Sequence, residues 1–294
     1  MNFLSNYHFP YSILGLNEKV EKLTQEAKKN ETAEVYKKIF SFIDLTTLNS
    51  TDSKRKVENM CRQVNEFKSK FKGMPDVAAI CVYPNFVSTV KQTLKTQSIG
   101  IASVAAGFPS SQTFLDIKNL ESKMAVEAGA TDVDIVISLG AFLSGNHQFV
   151  FDEIVSIKKA TGKAHLKVIL ETGALTDTFK IWEASLIAME AGADFIKTST
   201  GKMQPAATIE AAVVMCEAIK QFHEQTGRKV GFKPAGGISS SDVAAIYYTV
   251  VEKMLGEEWL NSKLFRIGAS SLANKLLSDI HKFVTGNEQD VNYF

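Results

Sequence analysis

The amino-acid sequence predicts an α/β fold, a (β/α)8 TIM barrel with a short helical N-terminal extension, and three observations support this fold class. From about residue 41, an apolar, β-branched strand pattern alternates eight times with a longer helical pattern. Strict alternation of this kind is typical of a parallel sheet. Eight units over about 240 residues fit a closed barrel, and no GxGxxG dinucleotide fingerprint follows the first strand.

The eight predicted strands are short apolar runs, each followed by a loop and a helical pattern. Amphipathic segments such as FLDIKNLESKMAVEAG and TFKIWEASLIAMEAG separate them, and the closing Gly129 and Gly192 suit helix C-terminal caps. The predicted strands end near Thr47, Tyr83, Phe108, Ser138, Thr172, Ser199, Ala235 and Gly268.

The chain divides into three predicted segments: a helical extension at 1–40, the barrel at 41–284 and a flexible tail at 285–294. The extension carries polar helical patterns around NEKVEKLTQEAKK and AEVYKKIF. These helices would cover the barrel bottom, the first strand or a subunit contact, or they would be solvated. The tail is polar, and polar termini are often disordered.

Composition excludes several classes of partner. Lys and Arg total 33 and Asp and Glu total 32, so the net charge of +1 predicts neither nucleic acid nor an anionic membrane as partner. Cys61, Cys81 and Cys216 form no CxxC pair and read as reduced thiols of a cytoplasmic protein. The N-terminus lacks a secretion signal, and no segment has the ~20 apolar residues that span a bilayer, so we expect a soluble protein.

Two lysines close apolar strands, Lys197 in DFIKTSTGK and Lys233 in GFKPAGG. A lysine held among apolar groups beside a second cation loses its proton easily, and its free amine can attack a carbonyl to form a Schiff base. Lys167, Asp44 and Asp134 lie on other predicted strands. Because buried charges need partners, we expect these five side chains to share a polar network at the C-terminal rim of the barrel.

Glycine and hydroxyl residues follow the last three predicted strands, at the starts of helices. Backbone N–H groups and the helix dipole favour an anion there, and barrels often bind phosphate in the loops after strands seven and eight. Taken together, these loops predict a small phosphorylated substrate. The candidate substrate-binding residues in them are Thr200, Gly201, Lys202, Gly236, Gly237, Ser270 and Ser271.

Seven segments, FIDLTTL, AAICVYP, GATDVDIVI, LKVILETG, GADFIKTSTGK, VGFKPAGG and FRIGASSL, resemble those of deoxyribose-phosphate aldolases. The resemblance extends from about residue 42 to about residue 276. It implies a class I aldolase of deoxyribonucleotide catabolism that works without a metal or other cofactor. Such enzymes reversibly cleave 2-deoxy-D-ribose 5-phosphate into acetaldehyde and D-glyceraldehyde 3-phosphate.

The resemblance also implies roles for individual residues. Lys197 would form the Schiff base, Lys233 would be the neighbouring cation that lowers its pKa, and Asp134 would pair with Lys233 and relay protons through a water. Asp44 and Lys167 would support that network. Thr46 and Cys81 would lie near the substrate. In an alternative interpretation, Cys81 is a small buried hydrophobic residue.

This chain departs from the family pattern at two places. Ile238 and Ser239 follow the glycine pair, where some relatives carry a basic residue, so phosphate binding would depend more on Lys202 and backbone donors. Some relatives also end in a tyrosine that reaches the active site. Here Tyr293 is penultimate and is a candidate catalytic helper.

Three alternatives to this enzyme differ in chemistry. A zinc-dependent aldolase needs a histidine cluster, and the five histidines are scattered without ligand spacing. Another Schiff-base sugar-phosphate aldolase or a transaldolase would share the lysine and the phosphate loops. A non-catalytic sugar-phosphate sensor would not need a reactive amine. The helix patterns allow a monomer or a homodimer.

Overall fold

The computed structural model describes residues 2–175 and 177–294 and contains one parallel eight-stranded sheet rolled into a barrel. Strands adjacent in sequence are neighbours in the sheet, and the first strand also pairs with the eighth. Two isolated β-bridges, Phe232 to Phe265 and Ala235 to Gly268, connect the region of the seventh strand to the region of the eighth. The strands are β1 (Ile43–Thr46), β2 (Ala79–Val82), β3 (Gly100–Val104), β4 (Asp132–Val136), β5 (His165–Ile169), β6 (Phe195–Lys197), β7 (Gly231–Lys233) and β8 (Ile267–Ala269).

Helices alternate with these strands and surround the barrel, which confirms the predicted (β/α)8 fold. Several begin where a hydroxyl side chain accepts a backbone N–H; Ser53 and Thr208 are examples. The helices are α1 (Ile13–Ala27), α2 (Ala33–Phe40), α3 (Lys54–Lys70), α4 (Val87–Thr93), α5 (Leu115–Glu127), α6 (Leu139–Leu143), α7 (His147–Thr161), α8 (Thr178–Glu190), α9 (Ile209–Thr226), α10 (Ser241–Leu255) and α11 (Leu272–Thr285).

The two N-terminal helices pack on the outside of the helical layer. α1 lies against α9 and α10, and α2 lies against α10 and α11 before leading into β1. Each buries one apolar face, with Leu16 and Leu23 on α1 and Ile39 and Phe40 on α2. The extension therefore covers outer helices of the barrel wall. The proposed segment boundaries at residues 40 and 284 stay predictions.

The C-terminal residues have defined contacts with α3 and α11. The Tyr293 hydroxyl donates to the Gln63 carbonyl at 2.7 Å, and the Asn274 side chain accepts from the backbone N–H of Tyr293 and of Phe294 at 2.9 Å each. The Tyr293 ring packs on Phe71. The flexibility of residues 285–294 stays a prediction. Tyr293 and Phe294 lie outside the barrel, against α3 and α11.

The third predicted strand extends furthest beyond the observed one. The apolar run IGIASVAAGF predicts a strand to Phe108, but β3 ends at Val104. The backbone then turns, with φ of 59° at Ala106 and 74° at Gly107. The prediction was wrong here because buried apolar residues continue from the strand into this loop. Hydrophobicity reports burial, and a buried loop has the same signature as a buried strand.

No helix in the described part of the chain combines the length and apolar character needed to cross a bilayer.

Candidate active site

A cavity of about 280 Å³ lies at the carboxyl ends of the strands, on the side of β1, β6, β7 and β8. All strands of a parallel barrel run the same way, so residues that end separate strands meet at this rim. The predicted residues that line the cavity are Thr46, Lys197, Thr200, Gly201, Lys202, Gly236, Gly237, Ser270 and Ser271.

Lys197, the last residue of β6, lines this cavity although its side chain is only 4% exposed. Its Nζ donates to Asp134 Oδ2 at 2.8 Å. Lys233 follows at the paired position on β7 and donates to the same oxygen at 2.7 Å and to Asp44 Oδ2 at 2.5 Å. One carboxylate oxygen, Asp134 Oδ2, therefore lies between the two lysines.

Burial and neighbouring charges shift the pKa values of the two lysines in opposite directions. Burial lowers the pKa of Lys197, and the Lys233 ammonium lowers it further, against the opposing attraction of Asp134. Burial also acts to lower the pKa of Lys233, but the carboxylates of Asp134 and Asp44 outweigh it and raise that pKa. Lys233 thus stays a cation, while Lys197 is the amine that loses its proton more easily.

Asp134 stays ionised despite complete burial. Burial raises its pKa, but the charges of Lys197, Lys233 and Lys167 lower it well below its usual range. Its second oxygen, Oδ1, accepts no hydrogen bond from any described residue and lies 3.4 Å from Lys167 Nζ. That oxygen is an open acceptor in the middle of the polar network.

A second polar layer lies beneath these residues. Lys167 Nζ is 2.6 Å from Asp132 Oδ1 and 3.8 Å from Asp44 Oδ2. Arg266 Nη1 donates to Asp44 Oδ1 at 2.6 Å, and its Nη2 lies 3.7 Å from Asp132 Oδ1. The sequence analysis gave Asp132 no role. It missed Arg266, although a charged residue inside the apolar segment LFRIG was a signal.

Glu171 is another residue that sequence reasoning missed. It is 3% exposed and has a φ of 54°, unusual for a residue with a side chain. Its carboxylate accepts from the Thr200 backbone N–H at 3.1 Å and from the Thr200 hydroxyl at 2.5 Å. Thr200 Oγ1 in turn accepts from the Lys202 N–H at 3.0 Å. The Thr200 donors are therefore used to hold the loop after β6 in place.

The loops after β6, β7 and β8 surround the outer part of the cavity. Lys202 Nζ reaches across it and donates to the Leu48 carbonyl at 2.5 Å. Gly236 and Gly237 have φ of 87° and 79°, which tips their backbone out of the strand direction. Ser271 caps α11 without a side-chain hydrogen bond to the helix. The Ser271 side chain therefore leaves the first N–H groups of that helix uncapped, and such groups can bind an anion.

Two predicted residues do not line the cavity. Cys81 is 1% exposed and packs with Ala79, Ala102 and Val104. Burial raises the pKa of its thiol, so this residue matches the alternative interpretation as a small buried hydrophobic residue. The structure also does not bring Tyr293 to the site, since its ring lies against α3.

Residues 2–175 and 177–294 contain no group of three or more His, Cys, Asp or Glu side chains arranged to hold a metal ion.

Comparison with known proteins assigns the chain to a family. A family model described as DeoC/LacD family aldolase matches residues 38–277, nearly the whole barrel. The chain belongs to this family. It is therefore an aldolase, a carbon–carbon lyase, built on a (β/α)8 barrel.

Curated relatives of this aldolase are similar over most of their length. Deoxyribose-phosphate aldolase of Homo sapiens is 44% identical over 269 residues, covering 88% of this chain and 85% of the human protein. The Mus musculus enzyme of the same name is 43% identical over 277 residues, covering 89% and 86%. A tetrameric deoxyribose phosphate aldolase from Aeropyrum pernix has a TM-score of 0.68 at 22% identity, covering 90% of this chain and 98% of that one. This last similarity supports the fold.

Proposed function

We propose that this aldolase is a class I enzyme that reversibly cleaves 2-deoxy-D-ribose 5-phosphate into acetaldehyde and D-glyceraldehyde 3-phosphate through a Schiff base on Lys197. The observation that carries the proposal is the position of Lys197: a buried amine of lowered pKa in the cavity wall, beside Lys233 and beneath anion-binding loops. Relatives named deoxyribose-phosphate aldolase at 43–44% identity support the choice of substrate.

The chemistry requires a primary amine and a proton carrier. The free amine of Lys197 attacks C1 of the open-chain sugar, and loss of water leaves a protonated imine. A base removes the proton of the C3 hydroxyl, the C2–C3 bond breaks, and its electron pair moves into the imine to form an enamine. D-glyceraldehyde 3-phosphate leaves. Protonation of the enamine carbon and hydrolysis then release acetaldehyde and restore the amine.

Asp134 is suited to carry these protons through a water. It contacts both lysines through Oδ2, and its Oδ1 is an acceptor without a donor among the described residues. A base within one water of the proton it removes satisfies the geometric requirement of general acid–base catalysis. Asp44 helps to hold Asp134 in place through Lys233, which contacts both carboxylates. Lys167 does so by direct contact with Asp134.

The phosphate of the substrate would bind at the loops after β6, β7 and β8. Lys202 supplies a positive charge, and the backbone of the Gly236 and Gly237 turn and the start of α11 at Ser270 and Ser271 supply N–H donors. Thr200 contributes indirectly, because its hydroxyl donates to Glu171. A phosphate there would place the aldehyde end of a five-carbon sugar toward the floor of the cavity.

Reductive trapping tests the reaction class and the nucleophile together. Acetaldehyde and borohydride should add a two-carbon unit to Lys197, identified by peptide mass spectrometry. Lys197→Leu should abolish the adduct and lower turnover by roughly three orders of magnitude or more, with unchanged circular dichroism. An adduct on another lysine, or normal turnover in the variant, would reject this role for Lys197.

The other outcomes separate the remaining alternatives. An adduct without cleavage of deoxyribose 5-phosphate, but with activity on another sugar phosphate, would favour a different Schiff-base aldolase or a transaldolase. Binding without any adduct would favour a sugar-phosphate sensor.

We also propose a cytoplasmic location for this enzyme. Cys61, Cys81 and Cys216 are free and buried, which suits a reducing compartment.

A further inference from the structure

The interior of the barrel holds more cations than carboxylates. Within the described residues, the buried polar network beneath the cavity contains four cationic side chains and three carboxylates. If all were ionised, one positive charge would lack a counter-charge where such a charge is costly. The cations are Lys167, Lys197, Lys233 and Arg266, and the carboxylates are Asp44, Asp132 and Asp134.

The contacts decide which cation gives up its proton. Arginine does not deprotonate in proteins. Lys233 lies 2.5 Å and 2.7 Å from two different carboxylates, and Lys167 lies within 4 Å of three. Lys197 contacts a single carboxylate oxygen, Asp134 Oδ2, and shares it with Lys233. Its proton is the least stabilised of the four charges.

We propose that Arg266 is a positioning residue that keeps Lys197 in its free-amine form, acting through Asp44 and Asp132 without touching the substrate. Its guanidinium contacts both carboxylates, at 2.6 Å and 3.7 Å, and does not line the cavity. With Arg266 present, a fourth cation competes for three carboxylates. Without it, three lysines would face three carboxylates, and Lys197 would keep its proton. The inference rests on the proposed function, since only a Schiff-base enzyme needs that amine free.

Other titratable groups around the network do not replace the charge of Arg266. Burial raises the pKa of the Cys81 thiol, so it adds no negative charge at neutral pH. His165 Nδ1 lies 3.6 Å from Asp132 Oδ1, but its side chain is 50% exposed, so water screens its interaction with that carboxylate. The groups that face Lys197 and Arg266 are Asp44 on β1, Cys81 on β2, Asp132 and Asp134 on β4, His165 and Lys167 on β5, and Lys233 on β7.

The test measures how the rate of acetaldehyde trapping by borohydride depends on pH. Arg266→Met should move the rise of this rate to higher pH by about one unit or more, because Lys197 then holds its proton longer. Arg266→Lys keeps the charge and should stay close to the original profile. Asp132→Asn removes a carboxylate and should move the rise to lower pH. A purely structural role would not give shifts of opposite sign.

A buried cation outside the barrel interior provides the matched control. Lys118 is 1% exposed and donates to Glu153 at 2.7 Å, so Lys118→Met should leave the trapping profile unchanged. An Arg266→Met profile like that of the unmodified enzyme, or shifts of both variants in one direction, would overturn the inference. If Arg266→Met does not fold, Asp132→Asn decides: an unshifted or alkaline-shifted rise overturns it. Absence of any adduct in the unmodified enzyme would instead reject the proposed function.

Discussion

Asp134 stabilises protons on two lysines with one oxygen, and the two lysines compete for it. Lys233 also binds Asp44, which leaves Lys197 as the weaker partner of the shared oxygen. The order of the two pKa values follows from this competition: raised for Lys233 and lowered for Lys197. A charge that never touches the substrate can therefore determine when the nucleophile is available.

Lys233→Leu tests this competition. The neutral amine is the reactive form, so activity rises as pH passes through the pKa of Lys197, and a lowered pKa places that rise at lower pH. Removing the Lys233 cation and leaving Asp134 to Lys197 should raise that pKa. The rise in kcat/KM should then move to higher pH by about one unit or more. A slower enzyme with an unaltered pH profile would show that Lys233 has another role.

At the scale of elements, the loop after β7 depends on a close approach to the loop after β6. Gly236 has a φ of 87°, and a Cβ there would lie 2.7 Å from Ala206 Cβ and 3.0 Å from Gly201 Cα. Gly237 has a similar φ of 79°, but a Cβ there would meet nothing within 4 Å. The two glycines share a backbone conformation and differ in the space around them.

This difference makes a matched pair of variants. Gly236→Ala combines backbone strain with a displaced loop and should raise KM for deoxyribose 5-phosphate roughly tenfold or more, about 1.4 kcal/mol. Gly237→Ala carries only the strain and should have a smaller effect. For acetaldehyde, which has no phosphate, the trapping rate should change little in either variant. Equal effects of both substitutions on KM would argue against contact between the two loops at this site.

The elements were largely predictable from sequence, while several partners were not. Alternating apolar and helical patterns identified all eight strands, because each strand buries its own residues. Lys197 and Lys233 were found because charge is rare at the end of an apolar strand. The contact of Arg266 with Asp44 joins residues 222 positions apart and depends on the register between β1 and β8. Local patterns carry no information about that register.

At the scale of the whole molecule, helix α5 has an apolar face that no other described residue covers. Four large apolar residues of α5 and its N-cap are about half exposed or more: Phe114 at 82%, Ile117 at 49%, Leu120 at 52% and Met124 at 57%. Contiguous exposed apolar surface on a monomer commonly marks an interaction site. The opposite face of the same helix is buried against the barrel and contains Lys118.

We expect a second copy of this chain to cover that face. If two α5 helices cross antiparallel with Leu120 at the two-fold axis, the exposed Asp116 of each copy lies opposite the exposed Lys123 of the other. An isologous interface requires such self-complementarity. We therefore expect a homodimer through α5, in line with the homodimer that the helix patterns allow, with apolar contacts at its centre and two symmetric ion pairs at its edges.

Sedimentation velocity at several protein concentrations measures this assembly. Leu120→Asp should shift the protein to monomer, because it buries a charge at the two-fold axis. Val284→Asp, at a 68% exposed apolar position on α11, is the matched control and should leave the dimer intact. Asp116→Lys should weaken the dimer by placing two lysines together, and adding Lys123→Asp should restore it. A dimer that survives Leu120→Asp, or a monomeric unmodified enzyme, would contradict assembly through α5.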